Sequence, residues 1–269
     1  MYHFFVSQEQ IYLNENAGVD LQETESLRGN AEGQGSLGTI VITGSDVNHI
    51  RNVLRMKPGE EVLISNGVDK DYHCCLAEIG AEEVIAQILS VDEEGTELPA
   101  RIYLFQGLPK QDKMELIVQK AVELGAYQVI PVSMHRSVVK LDAKKADSKV
   151  KRWNGIAESA AKQSKRMVIP GVTEVMTVKE ALAYAADFEL KLLPYENARG
   201  MAATKECVEQ VKPGMRIAVF IGPEGGFEES EVDTALAAGV QPITLGKRIL
   251  RTETAGFTIM SWIMYLLEE

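Results

Sequence analysis

The stretch RIAVFIGPEGGFEESEVDTALAAG, residues 216–239, decides the fold of the C-terminal part of the chain. Its first six residues form an apolar run with β-strand character, and a glycine-rich turn leads from them into a segment with helical character. The same succession recurs from Arg101 onward. Because strands that alternate with helices are typical of a parallel sheet with crossover helices, the sequence predicts an α/β domain.

Five strands of this domain are predicted from the same pattern. They cover residues 101–106, 128–132, 190–193, 216–221 and 242–245. One helix is DKMELIVQKAVELG, residues 112–125, with Asp112 as its N-cap and Gly125 just past its end. A later helix places Trp153 and several alanines on one apolar face and a cluster of Lys and Arg on the other.

The last helix, GFTIMSWIMYLLEE at residues 256–269, is apolar on more than one side. A terminal helix of this kind favours burial against a second copy of the chain, so the sequence predicts a homodimer. Burial within its own domain is the alternative.

The chain before Arg101 has a different texture. Short alternating runs, at residues 60–65, 71–79 and 82–91, are separated by Gly and Asp turn signals. This pattern predicts a small antiparallel β domain over residues 1–95, with the α/β domain over residues 96–269. A length of 269 residues also favours two domains.

Composition narrows the class of protein. The chain is 45% hydrophobic and 25% charged, as in ordinary globular proteins, and has no apolar run of the roughly 20 residues that a membrane helix needs. The three cysteines, Cys74, Cys75 and Cys207, form no C-x-x-C pair. They suit a reducing compartment, so we expect a cytoplasmic protein without a metal site.

The charge of the chain is unevenly distributed. Its formal net charge is −11, which by itself disfavours nucleic acid as a partner. Residues 136–166, however, hold ten Lys or Arg against three acidic residues, a local net charge of +7. This concentration indicates a surface for a polyanion, although a solvated helix face would show the same pattern.

A glycine pattern in the N-terminal part resembles a nucleotide-binding fingerprint. Gly33, Gly35 and Gly38 match G-x-G-x-x-G, which requires a strand before it and a helix after it. Here a polar segment precedes the pattern and the strand-like TIVIT, residues 39–43, follows it. We therefore interpret residues 29–38 as a surface loop; an oxidoreductase that binds a dinucleotide there is a rival hypothesis.

Three unusual loops follow three of the predicted strands. They are LLPYENARG at residues 192–200, IGPEGGF at 221–227 and LGKRILRTETAG at 245–256. Ligands of open α/β sheets bind outside the carboxyl ends of the strands, so we expect the loops to converge. Thr252 or Thr254 is predicted to cap the last helix, and Arg251 beside that helix N-terminus indicates that an anion or an electron-rich group binds there.

These segments carry a resemblance to a known family. Together with HIRNVLRM at residues 49–56 and DKMELIVQKAVELG, the IGPEGG and LGKRILRTETA motifs resemble the 16S ribosomal RNA uracil-N3 methyltransferases, E-type members of the SPOUT superfamily. The resemblance extends from about Phe4 to the C-terminal helix. It implies a PUA-like β-barrel at the N-terminus, an α/β domain with a trefoil knot, and a homodimer.

The resemblance also implies that S-adenosylmethionine is the cofactor and that the three loops hold it. The residues that match the family's cofactor loops are Leu193, Pro194, Tyr195, Glu196, Ile221, Gly222, Pro223, Glu224, Gly225, Gly226, Leu245, Gly246, Arg248, Ile249, Leu250 and Thr252. The substrate implied is small-subunit ribosomal RNA. Transfer RNA or another ribosomal site is an alternative target, and an RNA-binding adapter without enzymatic activity is an alternative function.

Roles in catalysis and RNA binding are hypotheses at this point. Arg251 is predicted to stabilise negative charge on the uracil carbonyl oxygens, and Glu224 or Glu253 to receive the N3 proton. His49 and His135 are assigned no role. Contacts with RNA phosphates are predicted for Arg51, Arg55 and Lys57 in the first domain and for Arg136, Lys162, Lys165 and Arg166 in the second.

Overall fold

The computed structural model describes residues 1–14, 36–196, 198 and 200–268. The chain divides into two compact units, the first made of Met1–Thr96 with Lys165–Val168 and the second of Glu97–Ser164 with Ile169–Glu269. Lys165 and Arg166 had been predicted to belong to the second domain. The structure corrects this placement, because the chain returns to the first unit for four residues after a long helix.

The first unit is built around a six-stranded sheet. Its strands are β1 (Tyr2–Phe5), β2 (Ile11–Leu13), β3 (Gly38–Thr43), β4 (Glu61–Ser65), β5 (Asp71–Ile79) and β6 (Glu83–Asp92). They lie in the order β1-β4-β5-β6-β3-β2. All neighbours pair antiparallel except β1 and β4, which pair parallel. The sheet is therefore mixed, and the prediction of a purely antiparallel domain was wrong at this one pair.

The core of the first unit follows from the alternation of apolar residues along its strands. Ile40 and Ile42 of β3 are buried, while Val41 between them is only partly covered. Between β3 and β4 the chain forms helix α1 (Ser45–Asn48) and continues as a π-helical segment, His49–Leu54. Arg55 ends that segment with a left-handed φ of 55°. Arg51, Arg55 and Lys57 are exposed on this segment and just after it.

The glycine pattern of the N-terminal part does not open a helix. Gly33 and Gly35 lie outside the described residues, whereas Gly38 is the first residue of β3 and pairs with Leu13. A side chain at Gly38 would collide with the carbonyl group of Tyr12. Close approach of two backbones thus explains this glycine without any nucleotide.

The second unit contains a parallel sheet with helices on both faces. Its strands are β7 (Arg101–Gly107), β8 (Ala126–Ser133), β9 (Gly171–Val172), β10 (Met176–Thr177), β11 (Leu190–Pro194), β12 (Arg216–Ile221) and β13 (Gln241–Ile243). The order is β10-β8-β7-β12-β11-β13, with β9 beside β8. Each described pair is parallel.

The five strands predicted here are confirmed, and β9 and β10 were missed. Strands of two residues carry no measurable period, so no pattern in the sequence marks them. The last strand ends at Ile243 instead of Leu245, which assigns Thr244 and Leu245 to the following loop.

In the described part of this unit, six helices connect and cover the strands. They are α2 (Lys113–Glu123), α3 (Ala143–Ser164), α4 (Val178–Tyr184), α5 (Met201–Val208), α6 (Glu229–Ala237) and α7 (Thr252–Leu267). Helix α3 buries Trp153, Ala157, Ala160 and Ala161, which confirms its predicted apolar face. Gly125, with φ of 84°, follows α2 as predicted. Asp112 precedes α2, but its side chain makes no capping hydrogen bond and lies instead 3.9 Å from Lys149 Nζ.

Aromatic and aliphatic side chains fill the space on either side of the parallel sheet. On one face, the rings of Phe105 and Phe220 stack with centroids 4.4 Å apart. On the other face, α7 buries Ile259, Met260 and Ile263 against the sheet. Burial within the domain therefore accounts for one side of α7, while Tyr265 on another side is exposed. Across the described part of the chain, every helix is too short or too polar to span a membrane.

Candidate functional site

The three glycine-containing loops converge on one cavity of about 660 Å³ in the second unit. Each loop follows the carboxyl end of a parallel strand: β11, β12 and β13. The lining includes Pro194, Tyr195 and Glu196, the run from Ile221 to Phe227, the run from Ile249 to Thr252, and also Lys113, Arg136, Glu229 and Ala255. The predicted convergence is confirmed, because parallel strands bring their carboxyl ends to the same edge of the sheet.

A second, smaller cavity of about 180 Å³ shares part of this lining. It adds Thr244, Leu245, Gly246, Lys247 and Arg248 from the loop after β13. Fifteen of the sixteen residues predicted to bind the cofactor therefore line one of the two cavities. The exception is Leu193, which is 1% exposed and packs in the core of the unit. Leu193 supports the loop from within the core, since the side chain of a strand residue points to one face of the sheet.

Glycine is required at the turn after β12 because the loop folds back on itself. A side chain at Gly222 would have its Cβ 3.2 Å from the carbonyl carbon of Gly226 and from the ring of Phe227. Gly226 itself has a left-handed φ of 69°. The three glycines of the loop therefore present only backbone to the cavity, while Glu224 between them adds a carboxylate. A cavity of this volume with a backbone cradle fits a ligand of the size of S-adenosylmethionine.

A buried hydroxyl connects the loop after β12 to the start of α7. Thr252 Oγ1 donates a hydrogen bond to the Gly222 carbonyl oxygen at 2.6 Å and accepts one from Gln106 Nε2 at 2.8 Å. Thr252 is the first residue of α7, and Arg251 occupies the N-cap position. The prediction that Thr252 or Thr254 caps this helix was therefore wrong. The Thr252 hydroxyl is used in tertiary contacts instead.

Replacing Thr252 with valine should destabilise this part of the site. The change removes the hydroxyl, so the Gly222 carbonyl loses its donor and the buried Gln106 amide keeps only its hydrogen bond to the Gly107 carbonyl, at a cost of about 1–3 kcal/mol. Thr252→Ser keeps the hydroxyl and serves as the control. Chemical denaturation of both variants measures the loss, and equal stability of the valine and serine variants would remove the structural role of this hydroxyl.

A lysine joins the two candidate proton acceptors. Lys113 Nζ lies 3.1 Å from Glu224 Oε1 and 3.3 Å from Glu253 Oε2. Glu224 also accepts the backbone N–H of Lys110 at 3.2 Å. Glu224 lines the large cavity, whereas Glu253 reaches it only through Lys113. The sequence analysis assigned Lys113 no role in the site, because this residue is more than a hundred positions from both glutamates along the chain.

Hydrogen bonding decides the charge state of Glu224. Partial burial by itself raises the pKa of this carboxyl, but hydrogen bonds from its own backbone N–H, from Lys113 and from the Lys110 amide outweigh burial. The net result is a pKa below the ordinary value of a glutamate. Glu224 is therefore ionised at neutral pH. The paired Lys113 has a raised pKa, chiefly through its hydrogen bond to Glu224.

Arg251 is exposed at the N-terminus of α7 and lines the large cavity. A cation at this end of a helix is unfavourable, because the partial charge of the helix N-terminus is also positive. The site thereby offers a positive region at the cavity wall that is suited to an anion or to developing negative charge. The role of Arg251 in stabilising charge on the substrate base stays a prediction.

The residues of segment 136–166 that were predicted to contact RNA lie in different surroundings. Arg136 lines the cavity, and its guanidinium donates to Glu228 Oε2 at 2.8 Å and to the Gly225 carbonyl at 3.3 Å, so it clamps the glycine-rich loop. Arg166 is 4% exposed, and its burial removes it from the set of phosphate contacts. Lys162 is ion-paired with Glu158 at 3.0 Å. Lys165 is exposed.

Neither histidine of the sequence analysis gains a clear chemical role. The backbone N–H of His135 donates to Glu231 Oε1, and its ring Nδ1 lies 3.4 Å from Glu228 Oε2. His49 is exposed at the start of the π-helical segment. Among the residues that the structure describes, no three His, Cys, Asp or Glu side chains are grouped as metal ligands.

Comparison with known proteins places both units in one family. Residues 96–264 match the model of an RNA methyltransferase domain, and residues 42–89 match an RNA methyltransferase PUA domain. The ribosomal RNA small subunit methyltransferase E of Bacillus subtilis is 38% identical over 86% of this chain and 91% of its own length.

Solved structures show the same similarity. The ribosomal RNA small subunit methyltransferase E of Neisseria gonorrhoeae, bound to S-adenosylmethionine, is 29% identical with a TM-score of 0.76, over 99% of this chain and 98% of that one. A Legionella pneumophila protein in complex with the same cofactor is 30% identical with a TM-score of 0.74, over 87% and 94% of the two chains. With its convergent loops and these matches along nearly its whole length, this chain belongs to the ribosomal RNA small subunit methyltransferase E family.

Proposed function

We propose that this protein transfers the methyl group of S-adenosylmethionine to N3 of a uridine in small-subunit (16S) ribosomal RNA. The observation that carries the proposal is the cavity at the carboxyl ends of β11, β12 and β13, where the three family motifs meet Arg251 and Glu224. The names of the relatives support the class of substrate, and the cofactor bound in two similar structures supports the methyl donor.

The chain has three tasks in such a reaction. S-adenosylmethionine, when bound, supplies a methyl group on a positively charged sulfur, which is already a strong electrophile. The folded-back backbone from Gly222 to Gly226 and the loop after β13 hold this cofactor and exclude water. The second task is to align the acceptor nitrogen with the methyl group, which lowers the activation barrier by ~7–11 kcal/mol when the geometry is well fixed. The third task is to remove the proton of that nitrogen.

Two charged side chains are suited to the proton transfer. Glu224 is ionised and lines the cavity, so its carboxylate is available to accept the N3 proton. Arg251 lines the same cavity and is suited to stabilise the negative charge that develops on the uracil carbonyl oxygens. The assignment of the proton to Glu224 instead of Glu253 follows from the lining of the cavity, which Glu253 does not reach.

Mass-spectrometric mapping of methylated nucleosides tests the proposed reaction. Small-subunit RNA from cells that lack the protein should lose one N3-methyluridine, and the purified protein with S-adenosylmethionine should restore it in vitro. Loss of a methyl group from transfer RNA or from another ribosomal nucleotide would redirect the proposal to that target. Absence of any heat of binding with S-adenosylmethionine would favour an adapter without enzymatic activity.

The affinity for RNA should depend strongly on salt. The exposed cations Arg51, Arg55 and Lys57 are proposed to contact phosphates, and each such contact to single-stranded RNA contributes a slope of about −0.7 in log affinity against log salt. Arg51→Ala should make the slope shallower by about that amount. The control is Lys205→Ala, a change of an exposed lysine on α5. Filter binding at several salt concentrations measures both slopes, and a slope unchanged by Arg51→Ala would contradict this contact.

We further propose that the protein is a cytoplasmic homodimer and that its C-terminal unit has the knotted chain path implied by the family resemblance. The exposed Tyr265 and the partly exposed Trp262 on α7 support the dimer, because they extend an apolar surface beyond the side that the sheet covers. Analytical ultracentrifugation tests it. A monomer at all protein concentrations would overturn this part of the proposal.

A further inference from the structure

We propose that Lys113 is a positioning residue of the methyl-transfer site: its ammonium group bridges Glu224 and Glu253 and holds the Glu224 carboxylate, in its ionised form, at the wall of the cavity. The inference rests on the proposed function, since it concerns the proton of the acceptor nitrogen. Its central claim about charge is testable on the protein without any substrate.

The geometry of the cluster places a cation between two anions. Lys113 Nζ lies 3.1 Å from one carboxylate and 3.3 Å from the other, so the two carboxylates are separated by no more than the sum of these distances. The side chains are mostly covered, with 26% of Lys113, 26% of Glu224 and 15% of Glu253 exposed. Two carboxylates at this separation repel each other strongly unless a cation lies between them.

The position of Lys113 along its helix indicates the same role. Lys113 is the first residue of α2, where the helix dipole disfavours a positive charge. A lysine at that position is favourable only when nearby anions compensate the positive partial charge of the helix N-terminus. The two glutamates come from different elements, the loop after β12 and the first turn of α7. Lys113 therefore connects three elements of the fold at the cavity.

Other charged groups lie near the cluster, and some of them form contacts of their own. Asp112 lies 3.9 Å from Lys149 of α3, and the Lys110 backbone N–H donates to Glu224. Arg136, which also lines the cavity, is paired with Glu228. Arg251 and Glu229 also line the cavity. Among the described residues, Lys113 is the cation whose ammonium group lies within 4 Å of the Glu224 carboxylate.

The proposed step conserves atoms and charge. The Glu224 carboxylate takes the N3 proton of the uracil, and the electron pair of that N–H bond stays on N3 and forms the bond to the methyl carbon. The electron pair of the broken sulfur–carbon bond stays on sulfur, which becomes neutral. The proton then passes from Glu224 to water, and the ion pair with Lys113 is restored.

Removal of the lysine charge has a defined consequence. Without Lys113, the Glu224 carboxylate faces the Glu253 carboxylate and loses a hydrogen-bond donor, so the pKa of Glu224 rises. A carboxylate with a raised pKa is protonated at a higher pH, and a protonated carboxyl cannot accept the N3 proton. The acid limb of the pH–activity profile then moves to higher pH. A loss of packing alone would instead lower the activity by the same factor at every pH.

The experiment compares Lys113→Gln with Lys113→Arg in the whole protein. Glutamate labelled with carbon-13 at the carboxyl group is titrated by NMR, and Glu224→Gln identifies the Glu224 signal. We expect the Glu224 midpoint to move to higher pH in Lys113→Gln and to stay in place in Lys113→Arg. Lys120→Gln is the matched control, because Lys120 forms an ion pair with Glu123 at 2.7 Å on the same helix, away from the cavity.

Activity supplies the second measurement. We expect kcat of Lys113→Gln to fall about tenfold between about pH 7.5 and about pH 5.5, where the wild-type value changes little, because the loss of the opposite charge and the approach of a like charge together raise the pKa of the carboxyl by about two units or more. Lys113→Arg should restore the wild-type profile.

Two results would overturn the inference: an unmoved Glu224 midpoint in Lys113→Gln, or a kcat that falls by the same factor at every pH. A wild-type protein that forms no N3-methyluridine would instead reject the proposed function, and the NMR titration would still decide the claim about the Lys113 bridge.

Discussion

Replacement of Arg251 with alanine should lower kcat for methyl transfer by about 10²–10³-fold and leave the affinity for S-adenosylmethionine nearly unchanged. Arg251 lines the cavity from the N-cap position of α7, where its guanidinium group is exposed to an incoming base. Stabilisation of charge that develops only in the transition state contributes to kcat and not to the binding of the ground state. Single-turnover kinetics and isothermal titration calorimetry measure the two quantities separately.

Lys212→Ala is a suitable control for this variant, because Lys212 is an exposed cation of the same unit outside the cavity. Its kcat and cofactor affinity should equal those of the wild type. Equal losses of kcat and of cofactor affinity in Arg251→Ala would show that the arginine binds the cofactor instead of acting on the base. The proposed role would then be withdrawn.

Gly107→Ala should damage both the stability of the protein and its binding of S-adenosylmethionine. Gly107 ends β7, and a Cβ there would lie 2.7 Å from the backbone nitrogen and the ring Cδ of Pro223, and 2.8 Å from Met134 Sδ. Because Pro223 belongs to the loop that forms the cavity, the collision displaces this loop. We expect a loss of about 1–3 kcal/mol in the free energy of unfolding, which is the usual cost of overpacking. We also expect at least about a tenfold loss of cofactor affinity, because overpacking displaces the loop that forms the cavity.

Gly155→Ala is the matched control for Gly107→Ala. Gly155 lies on the exposed side of α3, and a Cβ at this position would have no heavy atom within 4 Å. Since alanine is favoured over glycine in a helix, this variant should be more stable by about 0.5–1 kcal/mol. Urea denaturation and calorimetric titration compare the pair. Wild-type cofactor affinity in Gly107→Ala would contradict the close contact between β7 and the Pro223 loop.

Much of the site was predictable because its residues follow strands. The loops at residues 221–227 and 245–256 were recognised from glycines and charged residues directly after apolar runs, and parallel strands bring such loops together. Gln106 also left a signal that was not used, as a polar residue at the end of a buried apolar strand. Its hydrogen bond to Thr252 explains why a polar side chain is fully buried there.

Other features of the site depend on residues that are distant along the chain. Lys113 was predicted to lie on a helix, but its contacts with Glu224 and Glu253 join positions more than a hundred residues apart. Arg136 was predicted to contact RNA because its charge lies in a basic segment. The structure shows that the same guanidinium holds Glu228 and Gly225 of the cavity loop.

The sequence by itself determined five of the seven described strands of the second unit and helices such as α2, α3 and α7, because hydrophobic periodicity and glycine punctuation are local properties of the chain. It also determined the family, through the motifs around Glu224 and Arg251. Only the tertiary structure decided the parallel pairing of β1 with β4, the burial of Arg166, and the choice of partners for Thr252 and Lys113. Local patterns report whether a residue is buried or exposed, but the partner of a polar side chain depends on which distant segments the fold brings beside it.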